Sequence, residues 1–332
     1  MSTVKAKATK YKGKNSNVFV IIFCTILIIY AFSLLFTLFW GVMISLRSQA
    51  DFMLNRVALP NFKMWNGKSV FTNYITAWEN MNWRPLDPMP SYITIMNKKG
   101  IKYLLIYSVS HMSYLTPYNG AEVTITFIDG LINSAIYCTS MALCVALGPF
   151  VPGYVCARFN FKFGAIMYGT VIFCMSTPII GTGATLINFL KTYGLFGEIW
   201  GEWLKNLGWT SMWYLIYYAH FKTLSNTYSE AAEIDGASQF RILVTIAFPL
   251  AKTIFTTIFL MAFVGKWSDY NTPLLMLPSF PTVALLTLYA SNKGTRPEQI
   301  AACMYLAIPA ILLFAAFKNK LMGNLTLGGL KE

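Results

Sequence analysis

Long stretches without a charged side chain alternate with short polar segments along this chain. The uncharged, largely apolar runs are 18–46, 130–157, 163–190, 206–221 and 299–317. A sixth run, 253–277, is interrupted only by Lys266 and Asp269. A helix needs roughly 20 apolar residues to cross the hydrocarbon core of a bilayer, and only 206–221 falls clearly short of that length. The pattern therefore predicts six transmembrane helices.

The segment between the first two runs carries signs of β-structure. Residues 102–110 are rich in Tyr, Ile and Val, and residues 122–127 alternate strictly between polar and apolar side chains. Between them stands Asn119-Gly120, a dipeptide that favours the tight turn of a hairpin. We expect a small β-hairpin in a loop insertion outside the membrane, on an otherwise all-α integral membrane protein.

Glycine and proline interrupt two of the predicted spans. The interruptions are Gly148-Pro149, Pro152-Gly153, Pro178, Gly181 and Gly183. Such breaks occur where neighbouring protein or a water-filled cavity satisfies the freed backbone groups, and transporters place binding sites and flexing points at them. Ordinary kinks and close helix packing explain them too, so both interpretations stay open.

Composition supports the membrane assignment, and charge orients the chain. Charged residues make up 12% of the sequence, against roughly 25% in soluble domains. The net charge of +13 would suggest nucleic acid in a soluble chain, but five lysines stand before residue 15, and Lys318 and Lys320 follow the last run. Because cytoplasmic flanks are rich in Lys and Arg, we expect both termini in the cytoplasm of a multi-pass cell-membrane protein.

The predicted organisation follows from these runs. It comprises a basic tail at 1–17, a first transmembrane helix at 18–46, an extracytoplasmic loop at 47–129, a core of five helices at 130–317 and a tail at 318–332. Within the core, the polar loop 225–250 lies on the cytoplasmic side.

This loop predicts two helical pieces. Thr227 can cap a helix while Glu230 reaches back to it, which is a capping box, and Gly236 can adopt the left-handed conformation that ends such a helix. Ser238 restarts a helix with an apolar stripe of Ile242, Leu243, Ile246 and Ala247. We expect this second piece to end at Pro249, where the chain re-enters the bilayer.

The ordered set of residues in this loop resembles the cytoplasmic coupling loop of ABC importer permeases of the sugar and oligosaccharide type. The residues that carry the likeness are Glu230, Ala231, Ala232, Asp235, Gly236, Ala237, Ile246, Pro249 and Leu250. The stretch 263–275, the tail 317–331 and the pairs Asn73-Tyr74 and Asn133-Ser134 are also similar to that family. Ser268 stands where the family has Asn, Lys266 is unexpected, and the outer loop is enlarged at about 80–122.

The resemblance implies the fold of a type I ABC importer permease, with six transmembrane helices. It also implies partners: a second homologous permease subunit, two ATP-binding-cassette ATPase subunits and an extracytoplasmic solute-binding protein. The ATPase-coupling loop would be formed by Glu230, Ala231, Ala232, Asp235, Gly236, Ala237 and Pro249. ATP hydrolysis would belong to the separate ATPases, so this chain is expected to be a translocation subunit, to lack catalytic residues and to need no cofactor.

The fifth run contains candidate substrate-pathway residues, Lys266, Trp267, Asp269 and Tyr270. Lys266 and Asp269 are three apart and share a helical face, and charge at membrane depth usually marks a pathway. Aromatic faces suit sugar rings. An interfacial position at the outer surface explains the same four residues, with the aromatics in a membrane-interface belt.

Other chemistry has little support. The six cysteines form no CxxC pair, and the chain has two histidines, so neither a disulfide framework nor a metal site is expected. Gly67-Lys68-Ser69 ends like a phosphate-binding loop, but Phe62 stands where that loop requires its first glycine. The alternative functions are a secondary transporter or channel that works alone and, less well supported, a membrane-embedded glycosyltransferase.

Overall fold

Helices form most of the regular structure in the computed structural model, which describes residues 14–65, 67–81, 94–96, 102–104, 116–117, 126–159, 162–177, 181–277 and 280–325. The first half contains α1 (Lys14–Ser45), α2 (Gln49–Leu54), a 3₁₀ turn (Phe62–Trp65), α3 (Thr72–Asn80), α4 (Phe127–Leu147), α5 (Phe150–Arg158), α6 (Lys162–Ser176) and α7 (Thr182–Thr192). The second half contains α8 (Ile199–Asn206), α9 (Met212–Thr223), α10 (Thr227–Ile234), α11 (Gln239–Ile242), a π-helical turn (Leu243–Ala247), α12 (Phe248–Trp267), α13 (Asn271–Met276), α14 (Val283–Lys293) and α15 (Arg296–Leu325).

Within the described part of the chain, four helical segments are long and apolar enough to cross a membrane. They are Val20–Ser45, Phe127–Arg158, Gln239–Trp267 and Arg296–Lys318. The predicted span 163–190 consists instead of α6 and α7, and Gly181 caps α7 with a left-handed φ of 83°. The predicted span 206–221 corresponds to the 12-residue α9. Four of the six predicted spans therefore correspond to a helical segment of transmembrane length.

Close packing of small residues joins the helices of the core. Helix α4 packs against α12, α5 packs against α9, and α15 contacts α1, α3, α12 and α14. A Cβ atom on Gly130 would overlap the Leu286 side chain, and one on Gly153 would come within 2.8 Å of Tyr217 Cβ. The apolar side chains of α1 are exposed between residues 20 and 39, which suits a helix that faces lipid or another subunit.

Three short strands lie in the loop between α3 and α4. β1 (Thr94–Met96), β2 (Lys102–Leu104) and β3 (Thr116–Pro117) form an antiparallel sheet in the order β1-β2-β3. Ile95 pairs with Tyr103, and Leu104 pairs with Thr116. The predicted turn at Asn119-Gly120 and the residues 122–125 lie outside the described residues, so the hairpin stays a prediction.

The sequence predicts Phe127 as the last residue of the second hairpin strand. This prediction is wrong, because Phe127 is the first residue of α4. Thr126 accepts a hydrogen bond from the Asp129 N–H, and Asp129 Oδ2 accepts one from the Thr126 N–H at 3.0 Å. This reciprocal capping box satisfies two backbone donors that the first turn of a helix leaves free. The alternation of polar and apolar side chains across 122–127 gives no sign of this capping box.

The C-terminal end of α1 is fixed by a hydrogen-bond cluster around Arg47, which is 1% exposed. Arg47 Nε donates to Asp51 Oδ2 at 2.7 Å, and its terminal nitrogens donate to the carbonyls of Asp51, Asn55 and Ala58. Asn73 Nδ2 donates to the carbonyls of Ser45 and Arg47. The hydrogen bond from Arg47 holds the pKa of Asp51 below its ordinary value. Because the sequence predicts this loop outside the membrane, we call Arg47, Asp51 and Asn73 the outer cluster.

Candidate functional site

The polar loop between α9 and α12 forms a helical elbow, residues 227–249. Its first helix, α10, ends in a Schellman motif: the Ala237 N–H donates to Ala232 O at 2.9 Å and the Gly236 N–H donates to Glu233 O at 3.0 Å. Gly236 has a φ of 77°, a conformation that costs glycine no Cβ clash. The predicted break at Gly236 is confirmed.

The second piece of the elbow begins where the sequence predicts. Ser238 has extended backbone angles, and its hydroxyl accepts a hydrogen bond from the Arg241 N–H. Gln239 Nε2 donates to Glu233 Oε1 at 2.7 Å and so ties the second piece to the first across the break. Ile242 and Ala247 are buried, with Leu243 and Ile246 partly buried on the same stripe. The angle of the elbow is therefore held by contacts on both sides of Gly236.

The predicted capping box at Thr227 and Glu230 is wrong. Asn226 occupies the N-cap position with helical angles, and no side chain caps α10. The Thr227 hydroxyl instead pairs with the Ser225 hydroxyl at 2.8 Å, and the Asn226 side-chain oxygen accepts from Arg158. Arg158, from a distant helix, therefore occupies the Asn226 oxygen that could have capped α10. Sequence spacing alone does not reveal this contact.

The expectation that the second piece ends at Pro249 is also wrong. The helix runs through this residue, and Gln239–Trp267 is one continuous helical segment. A proline has no N–H and clashes with the carbonyl four residues earlier, but the turn Leu243–Ala247 that precedes it is π-helical. The Phe248 N–H donates to Leu243 O. The wider turn accommodates the proline without ending the helix.

The elbow exposes apolar side chains among its charges. Ile234 is 87% exposed, Phe240 75% and Tyr228 57%, and none of the residues of α10, all of which the structure describes, is buried. The predicted coupling residues are at the surface too: Glu230, Ala231, Asp235, Gly236 and Pro249 are exposed, and Ala232 and Ala237 are partly exposed. Contact with another protein would cover these exposed apolar side chains.

The four predicted pathway residues surround the junction of α12 and α13, where two of them form an ion pair. Lys266 Nζ lies 3.3 Å from Asp269 Oδ2. The same carboxylate accepts hydrogen bonds from the Tyr137 hydroxyl at 3.1 Å and the Thr272 hydroxyl at 2.8 Å, and Oδ1 accepts from the Thr272 N–H. Asp269 therefore holds the start of α13 against α4.

The two aromatic residues of this set differ in their surroundings. Trp267 is 6% exposed, and its indole N–H donates to Leu306 O of α15 at 3.1 Å. Tyr270 is 42% exposed. Tyr137, the partner of Asp269, was missed by sequence reasoning because it lies 132 residues away in an apolar run that gives no sign of the contact.

Comparisons with known proteins identify the family of this chain. Residues 150–322, which include the elbow and the junction of α12 and α13, match the family described as binding-protein-dependent transport system inner membrane component. This chain belongs to that family.

Among the residues that the structure describes, no group of three His, Cys, Asp or Glu side chains could hold a metal ion.

Several curated relatives extend the match beyond the family segment. A diacetylchitobiose uptake system permease protein of Streptomyces coelicolor is 22% identical over 91% of this chain and 86% of its own length. A melibiose/raffinose/stachyose import permease protein of Bacillus subtilis is 24% identical over 73% of this chain and 91% of its own length. A trehalose/maltose transport system permease protein of Thermococcus litoralis is 26% identical over 64% and 78%, respectively.

A solved structure shares the fold. It is a chain of a bacterial ABC transporter involved in the import of the acidic polysaccharide alginate. The superposition has a TM-score of 0.56 at 16% sequence identity and covers 94% of this chain and 99% of that chain. The fold is thus shared with that ABC transporter chain over nearly the whole length of both chains.

Proposed function

We propose that this chain is the transmembrane permease subunit of an ATP-driven ABC importer that translocates a sugar or oligosaccharide delivered by a solute-binding protein. The elbow carries the proposal: it lies inside the family segment and exposes Ile234 and Phe240 where a partner can cover them. Three of the relatives named above are permeases for oligosaccharides or disaccharides, which supports the substrate class.

In the proposed assembly, the chain pairs with a second homologous permease, and two ATPase subunits bind the elbows on the cytoplasmic face. ATP-driven closure of the ATPases moves the elbow, and the spans change between inward-open and outward-open states. Nucleotide binding drives that change only to the extent that its affinity differs between the two states. The rigid angle at Gly236 lets the elbow move as one body.

The proposed topology has six spans with both termini in the cytoplasm. Besides the four long segments, α6 and α7 together form one proposed span, and α9 with its flanking residues forms the other. In this orientation the outer cluster lies on the extracytoplasmic side of the membrane, and the elbow lies on the cytoplasmic side. A membrane-impermeant maleimide added to intact cells should label a cysteine at Leu54 and should not label one at Ser229, in a chain without its native cysteines.

Lys266, Trp267, Asp269 and Tyr270 remain the proposed substrate pathway, in which Tyr270 offers the most exposed aromatic face. An Asp269→Ala variant tests the assignment, with uptake measured for a panel of labelled disaccharides and oligosaccharides. Since Asp269 also anchors α13, the variant must match wild type in expression and thermal stability. Full uptake by such a variant removes Asp269 from the pathway.

The experiment that tests the proposed function is a gentle purification of the tagged chain from its native membrane, with identification of the co-purifying proteins. We expect an ABC ATPase, a second permease and, under cross-linking, a solute-binding protein. A chain that purifies alone and still transports in liposomes without ATP would establish a secondary transporter instead.

A further inference from the structure

Arg158, at the end of α5, holds the whole connection between α9 and the elbow. This connection is three residues long, 224–226, because α9 ends at Thr223 and α10 begins at Thr227. Arg158 donates to Leu224 O at 3.1 Å and to Ser225 O at 3.1 Å. It also donates to the Asn226 side-chain oxygen. Each residue of the connection therefore provides one acceptor to the same guanidinium group.

Helix α5 is in turn packed tightly on α9. Gly153 lets the two helices approach so closely that a Cβ atom there would lie 2.8 Å from Tyr217 Cβ. The ring of Phe221 packs edge-on against Phe150 and Tyr154, with centroids 5.4 and 5.2 Å apart. Because protein interiors at this density do not deform continuously, α5 and α9 are expected to move as one unit.

The elbow on the far side of the connection is also stiff. Its Schellman motif and the Gln239–Glu233 hydrogen bond fix α10 relative to α11. The connection joins the two rigid bodies, α5 with α9 and α10 with α11, and it is a place where a displacement of the elbow could be absorbed by rotation of backbone angles. Ser225 and Asn226 are exposed, and Arg158 makes one hydrogen bond to each of them.

We propose that Arg158 is a positioning residue for energy coupling: it clamps the connection 224–226, so that a displacement of the elbow is transmitted to α5. The proposal rests on the proposed function of the elbow as the ATPase contact. It assigns no contact with substrate or nucleotide to Arg158. We name Arg158 and residues 224–226 the inner clamp.

The chemistry of the clamp requires arginine rather than a generic cation. A guanidinium presents five N–H donors in a fixed plane, whereas a lysine ammonium is a compact charge on a flexible stem. One guanidinium can therefore hold three acceptors from consecutive residues at once. Arg158→Gln removes the clamp, and Arg158→Lys keeps the charge while losing the planar fork.

The test is amide hydrogen exchange on the intact assembly in lipid nanodiscs, purified through the tagged chain. Exchange is compared without nucleotide and with Mg-ATP plus orthovanadate, a probe that traps the ATPases and needs no identified sugar. The two segments followed are α5 (Phe150–Arg158) and the first part of the elbow, α10 and α11 (Thr227–Ile242). Lys222→Gln is the matched control, since Lys222 is an exposed cation just before the clamped connection.

In wild type and Lys222→Gln, nucleotide should change the exchange of both segments. In Arg158→Gln the elbow should still respond while the response of α5 is lost, and Arg158→Lys should lose most of it. An α5 response of wild-type size in both Arg158 variants overturns the clamp. If Arg158→Gln does not assemble, the Arg158→Lys result decides alone. A wild-type assembly in which the elbow itself does not respond contradicts the proposed ATPase contact, and the clamp with it.

Discussion

The outer cluster buries polar and charged groups, whereas the elbow exposes apolar side chains. Around Arg47, charged and amide groups are buried, and they find their partners within the chain. On the elbow, Ile234 and Phe240 are exposed at 87% and 75%, and α10 contributes nothing to the core. The first region is complete in the isolated chain. The second has a fixed shape but an uncovered surface, which is what a contact for another subunit requires.

The two regions are both rigid, although only the outer cluster is buried. The outer cluster is rigid because a buried charge must keep its partners, whereas the elbow is rigid through local backbone motifs at Gly236 and Ser238. Substitutions in the outer cluster should therefore lower the stability of the chain. Substitutions on the elbow should alter what binds to it.

Arg47→Met should produce the largest effect on the fold. It removes the cation that pairs with the buried Asp51 carboxylate, and breaking a buried pair in this way costs about 3–5 kcal/mol of unfolding free energy. Thermal unfolding of the purified chain in detergent measures the loss. Arg56→Met, at an exposed arginine in the same loop, is the control. Equal midpoints for the two variants would show that the outer cluster contributes no special stability.

Phe240→Ser should weaken ATPase binding while leaving the fold intact. Buried aromatic anchors at interfaces contribute about 2 kcal/mol or more, which corresponds to a roughly 30-fold weaker complex. Retention of the ATPase on the tagged chain, titrated with free ATPase, measures the change. Leu54→Ser is the matched control because Leu54 is 74% exposed near the outer cluster. A similar loss of ATPase in both variants would remove the contrast between the two regions.

Gly236→Val should uncouple transport without preventing membrane insertion. Nothing lies within 4 Å of a Cβ at this position, so the cost comes from the left-handed backbone, about 1–2 kcal/mol. Gly236→Asn should be tolerated better, since Asn adopts this conformation more readily than other side chains. Uptake at matched membrane levels measures the effect. Normal uptake by the valine variant would argue against a fixed elbow angle.

The smallest effect concerns pH at the outer cluster. Because the Arg47 hydrogen bond lowers the pKa of Asp51, the ionised carboxylate contributes its full stabilisation above the ordinary carboxyl pKa. That contribution is lost as the pH falls from there through the lowered pKa. The difference in unfolding free energy between wild type and Asp51→Asn should therefore shrink on acidification. A constant difference down to acidic pH would contradict the pairing.

Local rules predicted part of the elbow correctly and failed where distant residues intervene. Gly236 and Ser238 follow from backbone conformation and capping, which depend on a few neighbouring residues. The capping box at Thr227 failed because Thr227 is the first helical residue and Asn226 occupies the N-cap, where its side chain binds Arg158, 68 residues earlier. Pro249 did not end the helix because the π-turn before it relieves the clash. The Tyr137–Asp269 contact and the inner clamp depend on tertiary packing and leave no local signal.

The most direct test of the central claim is site-specific photo-cross-linking from the elbow in native membranes. A photoreactive residue is placed at Phe240, and a second variant carries it at Leu54, which is equally exposed. The account predicts a cross-link from position 240 to an ABC ATPase and none from position 54. Cross-links from position 240 to lipid alone, or to the ATPase from position 54, would contradict the elbow as the ATPase contact.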